Sequence, residues 1–233
     1  MVSRFCRHLA GGTLAFVLFT GSGLAAQTYT IDPVHSSAGF SIRHIVSRVT
    51  GKFNRFHGTI VYDPDSPANS SVTANIDVAS IDTNDERRDN DLRSDNYFDA
   101  EKYPEITFVS TSVEKKGEML MVTGDLTMHG VTKQVVMSVE VLGVGTHPMT
   151  KAAIAGFSAE LKLNRSDFGV NSWTDMASIV GDEVSITLLI EAAAVMENPC
   201  NPCNPCGKGK DPCNPCGKGK NPCYRNGLKG GSK

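Results

Sequence analysis

The sequence predicts an all-β domain of about eight or nine antiparallel strands with one short helix. Three features indicate this fold class: apolar and polar residues alternate through most of the chain, two such runs meet at His129-Gly130, and one charge-rich stretch interrupts the pattern. Alternation is typical of strands because successive side chains point to opposite faces of a sheet. A set of strands this large must stack as a sandwich or close as a barrel to protect its edges.

The predicted strands follow one another along the chain. They occupy residues 29–32, 38–44, 50–62, 71–78, 105–113, 154–163 and 183–194, with a hairpin over 119–141. The hairpin is predicted because Gly130 can take a positive φ at no steric cost, which permits a tight connection. In the third strand the alternation slips between Phe53 and Phe56, which indicates a β-bulge near Asn54 or Gly58.

Residues 84–97 are the one stretch with a different character. Charged side chains are dense there and β-branched residues are absent, which favours a short, solvated helix. Thr83 or Asn84 precedes the stretch and is the predicted N-cap, because a short polar side chain can accept a hydrogen bond from the first helical turn.

Both ends of the chain differ from the body between them. Segment 1–26 is predicted to be a secretory signal peptide: Arg4 and Arg7 precede a short apolar run, and small residues lead to a cleavage position near Ala25 or Ala26. The apolar run is well short of the ~20 residues that a membrane-spanning helix needs. The mature protein is therefore expected to be periplasmic or secreted.

The body, residues 27–197, is long enough for one domain with a sizeable core. The whole chain carries a net charge of −2, and both ends are basic, so the body itself is strongly acidic. An acidic globular body argues against nucleic acid as a partner.

Seven short motifs of the body occur in a fixed order. They are Tyr-x-Ile-Asp-Pro-x-His-Ser at 29–36, Phe-Ser-Ile-Arg-His at 40–44, Gly-Lys-Phe-x-x-Phe-x-Gly at 51–58, Arg-Asp-x-x-Leu-Arg-Ser at 88–94, Tyr-Pro-Glu-Ile-Thr-Phe at 103–108, Gly-Asp-Leu-Thr-Met-His-Gly-Val-Thr-Lys at 124–133 and Arg-x-Asp-Phe-Gly at 165–169. Together they closely resemble the YceI-like family of exported polyisoprenoid-binding proteins, over residues 28–195. The resemblance implies an extended, lipocalin-like antiparallel barrel that holds a long isoprenoid or fatty chain. One departure is Asp91, where family members often have histidine.

An apolar ligand needs a lined cavity with a few polar groups. The side chains predicted to point inward are Phe40, Ile42, Phe53, Phe56, Phe108, Leu126, Met128, Phe157, Phe168 and Trp173. Periodicity alone does not separate a filled barrel from a hollow one, and it is the family resemblance that favours a cavity. Each CH₂ buried in such a cavity contributes roughly 0.8 kcal/mol to binding.

Four polar side chains are candidates for contact with a ligand's head group. His35 and His44 are the histidine candidates, and His44 shares the strand face of Phe40; the alternative is a core histidine bonded to backbone. Arg88 and Arg93 could also meet a head group, but a charged helix face in water is the commoner explanation of such residues.

No catalytic motif is present in the sequence. It lacks a Gly-x-Ser-x-Gly elbow, a His-Glu-x-x-His pair and a phosphate-binding glycine loop, so we expect a non-catalytic binder that requires no cofactor. The expected partner is a hydrophobic small molecule such as an isoprenoid or quinone-like lipid.

The tail, residues 198–233, is built on a ten-residue Asn-Pro-Cys repeat and has little to bury, so it is predicted to be disordered. Its cysteines are Cys200, Cys203, Cys206, Cys213, Cys216 and Cys223. They could form disulfides in an oxidising compartment, bind a soft metal ion, or exchange thiols with partners. A metal-binding or thiol-redox protein is therefore the rival function. The tail's positive charge could also hold it near an anionic membrane surface.

Overall fold

The structure, a computed structural model, describes residues 26–172 and 179–195. Predictions for residues 1–25, for Trp173 and for the cysteine tail lie outside the described residues. The described part contains strands β1 Gln27–Ile31, β2 Ser37–His44, β3 Ser47–Phe53, β4 Phe56–Tyr62, β5 Ser71–Asp77, β6 Ile81–Asp82, β7 Glu105–Lys116, β8 Met119–Met128, β9 Val131–Thr146, β10 Ala153–Asn164 and β11 Val180–Ala194. It also contains helix α1, Glu86–Arg93, and three short 3₁₀ turns at Pro67–Asn69, Val78–Ser80 and Arg165–Phe168.

Eight of these strands close into an antiparallel barrel. The order is β1-β4-β5-β7-β8-β9-β10-β11, and β11 returns to β1, where Tyr29 lies opposite Ala194. Strand β2 pairs with the first part of β11, and β3 and β6 extend the wall from β2. Ring closure satisfies the strand edges that an open sheet would expose. The predicted all-β barrel with one short helix is confirmed.

The predicted hairpin is formed by β8 and β9, joined by His129 and Gly130. Both residues have positive φ, 52° and 74°, as a two-residue turn that matches the twist of its strands requires. The ring of His129 packs edge-on against Tyr103 at 4.7 Å, and its Nδ1 lies 3.2 Å from the carbonyl oxygen of Phe168. The turn is thereby held against the segment that follows β10.

The predicted third strand is two strands, β3 and β4. They separate at Asn54-Arg55, where both backbone N–H groups turn to Ser80: Asn54 donates to its carbonyl oxygen at 3.1 Å and Arg55 to its hydroxyl at 3.0 Å. The slip in alternation therefore marks a strand break rather than a bulge within one strand. The break explains why Phe53 and Phe56, three residues apart, can both face the interior.

Helix α1 is shorter than predicted and has a different N-cap. The Asp85 side chain, rather than Thr83 or Asn84, accepts the hydrogen bond of the Arg88 N–H at 3.0 Å. The hydroxyl and N–H of Thr83 instead donate to the buried carboxylate of Asp89.

Within the described residues no helix is long and apolar enough to cross a membrane.

Candidate ligand-binding cavity

The barrel interior is unequally filled. Four inward positions of β11 are only half-buried: Val184, Ile186, Leu188 and Ile190. The inward apolar side chains of β8 are buried, and none is more than 8 % exposed: Leu120, Val122, Leu126 and Met128. A packed protein interior leaves few voids larger than a water molecule. Inward residues that are still accessible therefore border a space that the side chains do not fill.

This space is a cavity of about 340 Å³, a volume within the ~300–1,000 Å³ typical of small-molecule sites. Every strand of the barrel ring contributes to its wall, and most of the wall residues are aliphatic or aromatic. Such a wall offers dispersion contact to an apolar chain and few partners to water.

Nine of the strand residues predicted to contact a ligand lie on the cavity wall: Phe40, Ile42, His44, Phe53, Phe56, Phe108, Leu126, Met128 and Phe157. The strand register places them there, since Phe40 lies opposite Ile186 and Ile42 opposite Val184 in the β2–β11 pair. Their contact with a bound ligand stays a prediction.

Two aromatic pairs stiffen the wall. Phe40 and Phe53 have ring centroids 5.7 Å apart, and Tyr62 meets Phe157 edge-to-face at 5.6 Å. These separations are within the favourable range for aromatic pairs, which is about 4.5–7 Å. The wall is therefore preformed at both pairs rather than dependent on a ligand.

Three residues predicted to contact a ligand do not lie on the cavity wall. Phe168 ends a 3₁₀ turn beyond β10, where strand alternation no longer applies, and its ring is only 1 % exposed in the packed core. His35 lies in the loop between β1 and β2 and faces solvent. The guanidinium of Arg93 donates to the carbonyl oxygens of Ala79 and Ile81, both at 3.0 Å, and so fastens α1 to the β5–β6 connection.

The cavity wall includes the ionisable side chains His44, Arg88, Asp91, Tyr97 and Arg165. His44 and Arg165 lie where β2 ends and β11 begins, since His44 is opposite Val180 and Arg165 donates to Gly181. Burial raises the pKa of the Tyr97 phenol above its usual value, and Asp91 raises it further, while Arg165 lowers it. Tyr97 is therefore a neutral hydrogen-bond donor at physiological pH. Toward the other end the wall includes the phenol of Tyr62 and the hydroxyl of Ser70.

Arg88 is committed to its own loop. Its Nε donates to the hydroxyl of Thr83 and its Nη2 to the Thr83 carbonyl oxygen, both at 2.7 Å. Arg88 lies on the cavity wall, as its predicted role requires, but two of its nitrogens already have partners.

Tyr97 and Arg165 are wall residues that the sequence-based candidates omit. The sequence did contain an indication for Arg165. Leu161 and Leu163 are alternate residues that point inward from β10, and Arg165 is the next residue in this alternating series. Arginine in an apolar series is unusual, because arginine is rarely fully buried unless it is paired.

The described residues include one group that could offer three ligand atoms to a metal ion, namely Asp32, His35 and Glu191. His35 Nδ1 lies 2.8 Å from Asp32 Oδ2 and 4.0 Å from Glu191 Oε1. The shorter distance is that of a hydrogen-bonded pair, and Asp32 also accepts from the Val34 N–H at 2.9 Å. We assign this group to fixing the β1–β2 loop beside β11.

The His35–Asp32 pair is expected to make stability depend on pH. The hydrogen bond to His35 lowers the pKa of Asp32 from 3.8, so this contribution is present above that pH and is lost as pH falls. The bond to Asp32 raises the pKa of His35 from 6.5, so its contribution is complete below that pH and is lost as pH rises. Thermal unfolding of His35→Ala should therefore differ most from the parent between these two pH values. A melting-temperature difference that stays constant from acidic to alkaline pH would contradict this assignment.

The amino-acid sequence is similar to those of known proteins. A model of the YceI-like domain matches residues 29–192. The chain is 43% identical over 165 residues to the UPF0312 protein plu2095 of Photorhabdus laumondii, in an alignment that covers 70% of this chain and 85% of that protein.

Solved structures share the same barrel. BcnA of Burkholderia cenocepacia superposes with a TM-score of 0.64 at 31% identity, and the match covers 69% of this chain and 98% of BcnA. A polyisoprenoid binding domain from Saccharophagus degradans superposes with a TM-score of 0.55 at 16% identity, covering 72% and 99% of the two chains. At that identity the second likeness concerns the fold alone.

Proposed function

The chain belongs to the YceI-like family, and on this basis we propose that it is a non-catalytic carrier for a polyisoprenoid or similar long-chain amphiphile. The observation that carries the proposal is the hollow, apolar barrel interior, whose inward residues on β2 and β11 are left half-accessible. The fold that it shares with a polyisoprenoid binding domain supports the same class of ligand.

The energetics favour a chain-like ligand. Each buried CH₂ contributes roughly 0.8 kcal/mol, and the cavity extends past wall residues from every strand of the ring. Quinones, polyprenyl phosphates and fatty amides all have the required chain. Because the wall is preformed, little of this free energy is spent on ordering the protein.

We also propose that the protein acts outside the cytoplasm, where a lipid in transit must be shielded from water. The basic start and short apolar run of segment 1–26 support export.

The test is native mass spectrometry of the protein purified from the extracytoplasmic fraction of its own host, followed by organic extraction. We expect one prenyl or acyl lipid per chain. Protein that carries no lipid, and that also fails to bind added quinone or polyprenyl phosphate, would refute the carrier function. Recovery only from the cytoplasm, with the N-terminus intact, would refute export.

Filling the cavity should abolish most of this binding. Ala159 lies on the wall and is 7 % exposed, so Ala159→Phe places a ring where the ligand chain would lie. If the ring displaces two CH₂ groups of the ligand chain from the cavity, the binding free energy falls by about 1.6 kcal/mol, which weakens binding roughly tenfold. Glu160 is the next residue on β10 and is exposed, so Glu160→Phe adds the same ring to the outer face and should leave binding unchanged. Melting temperatures establish that both variants are folded; equal lipid content in the two would contradict the internal site.

A further inference from the structure

The side chain of Arg165 is a buried cation on the cavity wall, and the described residues use only part of its hydrogen-bonding capacity. It is 5 % exposed. Its Nε donates to the carbonyl oxygen of Gly181 at 3.0 Å, and its Nη1 donates to those of Val170 and Ser172 at 2.9 and 2.7 Å. Nη2 is buried and has no hydrogen-bond partner among the described residues.

The Arg165 guanidinium has more hydrogen-bond donors than it has acceptors among the described residues. A guanidinium has five N–H donors; the three carbonyls occupy three of them, and the two donors of Nη2 find no acceptor in residues 26–172 and 179–195. Buried polar groups are nearly always paired, so each exception requires an explanation. A role confined to clamping the chain around β11 would explain Nε and Nη1 but would leave Nη2 unexplained.

Among the described residues, the charge is also poorly compensated. Of the acidic groups in the described part of the chain, Asp182 acts most on Arg165, but its carboxylate oxygens accept from the N–H and the hydroxyl of Ser166, at 3.0 and 2.6 Å. Burial lowers the pKa of the Arg165 guanidinium, which nevertheless stays charged at physiological pH. Asp91 also lies on the wall at this end, but it is exposed, so water and salt weaken its field.

We propose that Arg165 is the anchor for an anionic head group, of the phosphate or carboxylate class, on the chain that the barrel carries. The inference rests on the proposed function and specifies its ligand. An oxyanion accepts hydrogen bonds from both N–H groups of Nη2 and places negative charge beside the guanidinium. Such charge-assisted hydrogen bonds are roughly twice as strong as neutral ones. The phenol of Tyr97, on the same wall and close enough to alter the titration of Arg165, is the second donor. The apolar chain then extends from this end along the cavity.

The test compares two ligands with one chain, geranylgeranyl monophosphate and geranylgeraniol, by fluorescence competition against a bound reporter lipid. The parent protein should bind the phosphate about ten- to a hundredfold more tightly than the alcohol, the range that a hydrogen bond to a charged group accounts for. Equal affinities would overturn the anchor while leaving the carrier function in place. Failure to bind either ligand would instead refute the carrier function.

Substitutions of Arg165 test whether this residue causes the preference for the phosphate over the alcohol. Arg165→Met keeps the apolar stem, and it should remove the preference without changing the affinity for the alcohol. Arg165→Lys keeps the charge and should retain part of the preference, and it provides the test if the methionine variant does not fold. Arg93→Met is the matched control, because Arg93 does not lie on the wall, and it should behave as the parent. A preference that survives in folded Arg165→Met, or that is lost only in Arg88→Met, would overturn the assignment.

Discussion

Replacing Phe168 with alanine is expected to lower the free energy of unfolding by about 3–5 kcal/mol, the usual cost of emptying a phenylalanine site in a packed core. Phe168 is among the largest fully buried side chains of the described residues, and it packs in the main hydrophobic cluster rather than on the cavity wall. The space left by the ring cannot collapse easily, because the turn that carries it is held by the His129 hydrogen bond. Urea denaturation of parent and variant measures the loss.

Phe40→Ala is the matched comparison. Its ring faces the cavity and is only half-buried, so its removal enlarges an existing space and should cost about half as much stability. Its effect should appear instead in ligand affinity. A loss of stability for Phe40→Ala equal to that for Phe168→Ala would show that the region around Phe40 is packed as tightly as the core.

Gly124→Ala is expected to be the second severe substitution, with a loss of about 3 kcal/mol, at the upper end of typical overpacking costs. An added Cβ would lie 2.4 Å from Cζ of Phe108 and 2.6 Å from the carbonyl oxygen of Val109. The carbonyl belongs to the backbone of β7 and cannot move without breaking the β7–β8 pairing. The Phe108 ring lies on the cavity wall, so a shift of the ring that relieves the clash should lower ligand capacity together with stability.

The same substitution elsewhere in the barrel separates this steric effect from a general effect of alanine. Gly145 lies in β9, and the nearest atom to an added Cβ there is Cγ1 of Ile154, at 4.0 Å. Gly145→Ala should therefore change the free energy of unfolding by less than about 0.5 kcal/mol. Similar unfolding curves for the two variants would contradict the close approach of Phe108 to Gly124.

The sequence was most informative where a local pattern has one structural solution. Alternation in β8 and β9, together with Gly130 at the turn, predicted the hairpin and its inward face. The parity of Phe40, Ile42 and His44 placed all three on the cavity wall. In each case the side-chain direction follows from the strand period alone.

The sequence was less informative where long-range contacts decide the local structure. The break between β3 and β4 depends on Ser80, which is distant in the chain but supplies both hydrogen bonds to Asn54-Arg55. The alternation of β10 extends to Arg165, but it does not identify the three carbonyls that hold this side chain or the residues that bury it. Phe168 shows the opposite error: an aromatic residue near strand β10 was predicted to face a ligand, but the 3₁₀ turn directs it into the core.

The pairing of β1 with β11 has a consequence for how the protein is made. Tyr29 lies opposite Ala194, and the N–H of Val195 donates to the carbonyl oxygen of Thr28 at 3.0 Å, so the first and last strands of the barrel complete the ring. No compartment for cargo can exist until the last strand has paired with the first. Until then β1 and β10 have unpaired edges, and closing such a distant pair is slow because the intervening chain must first be ordered. A chain that has not closed its ring therefore exposes these edges to other chains until it becomes able to carry a ligand.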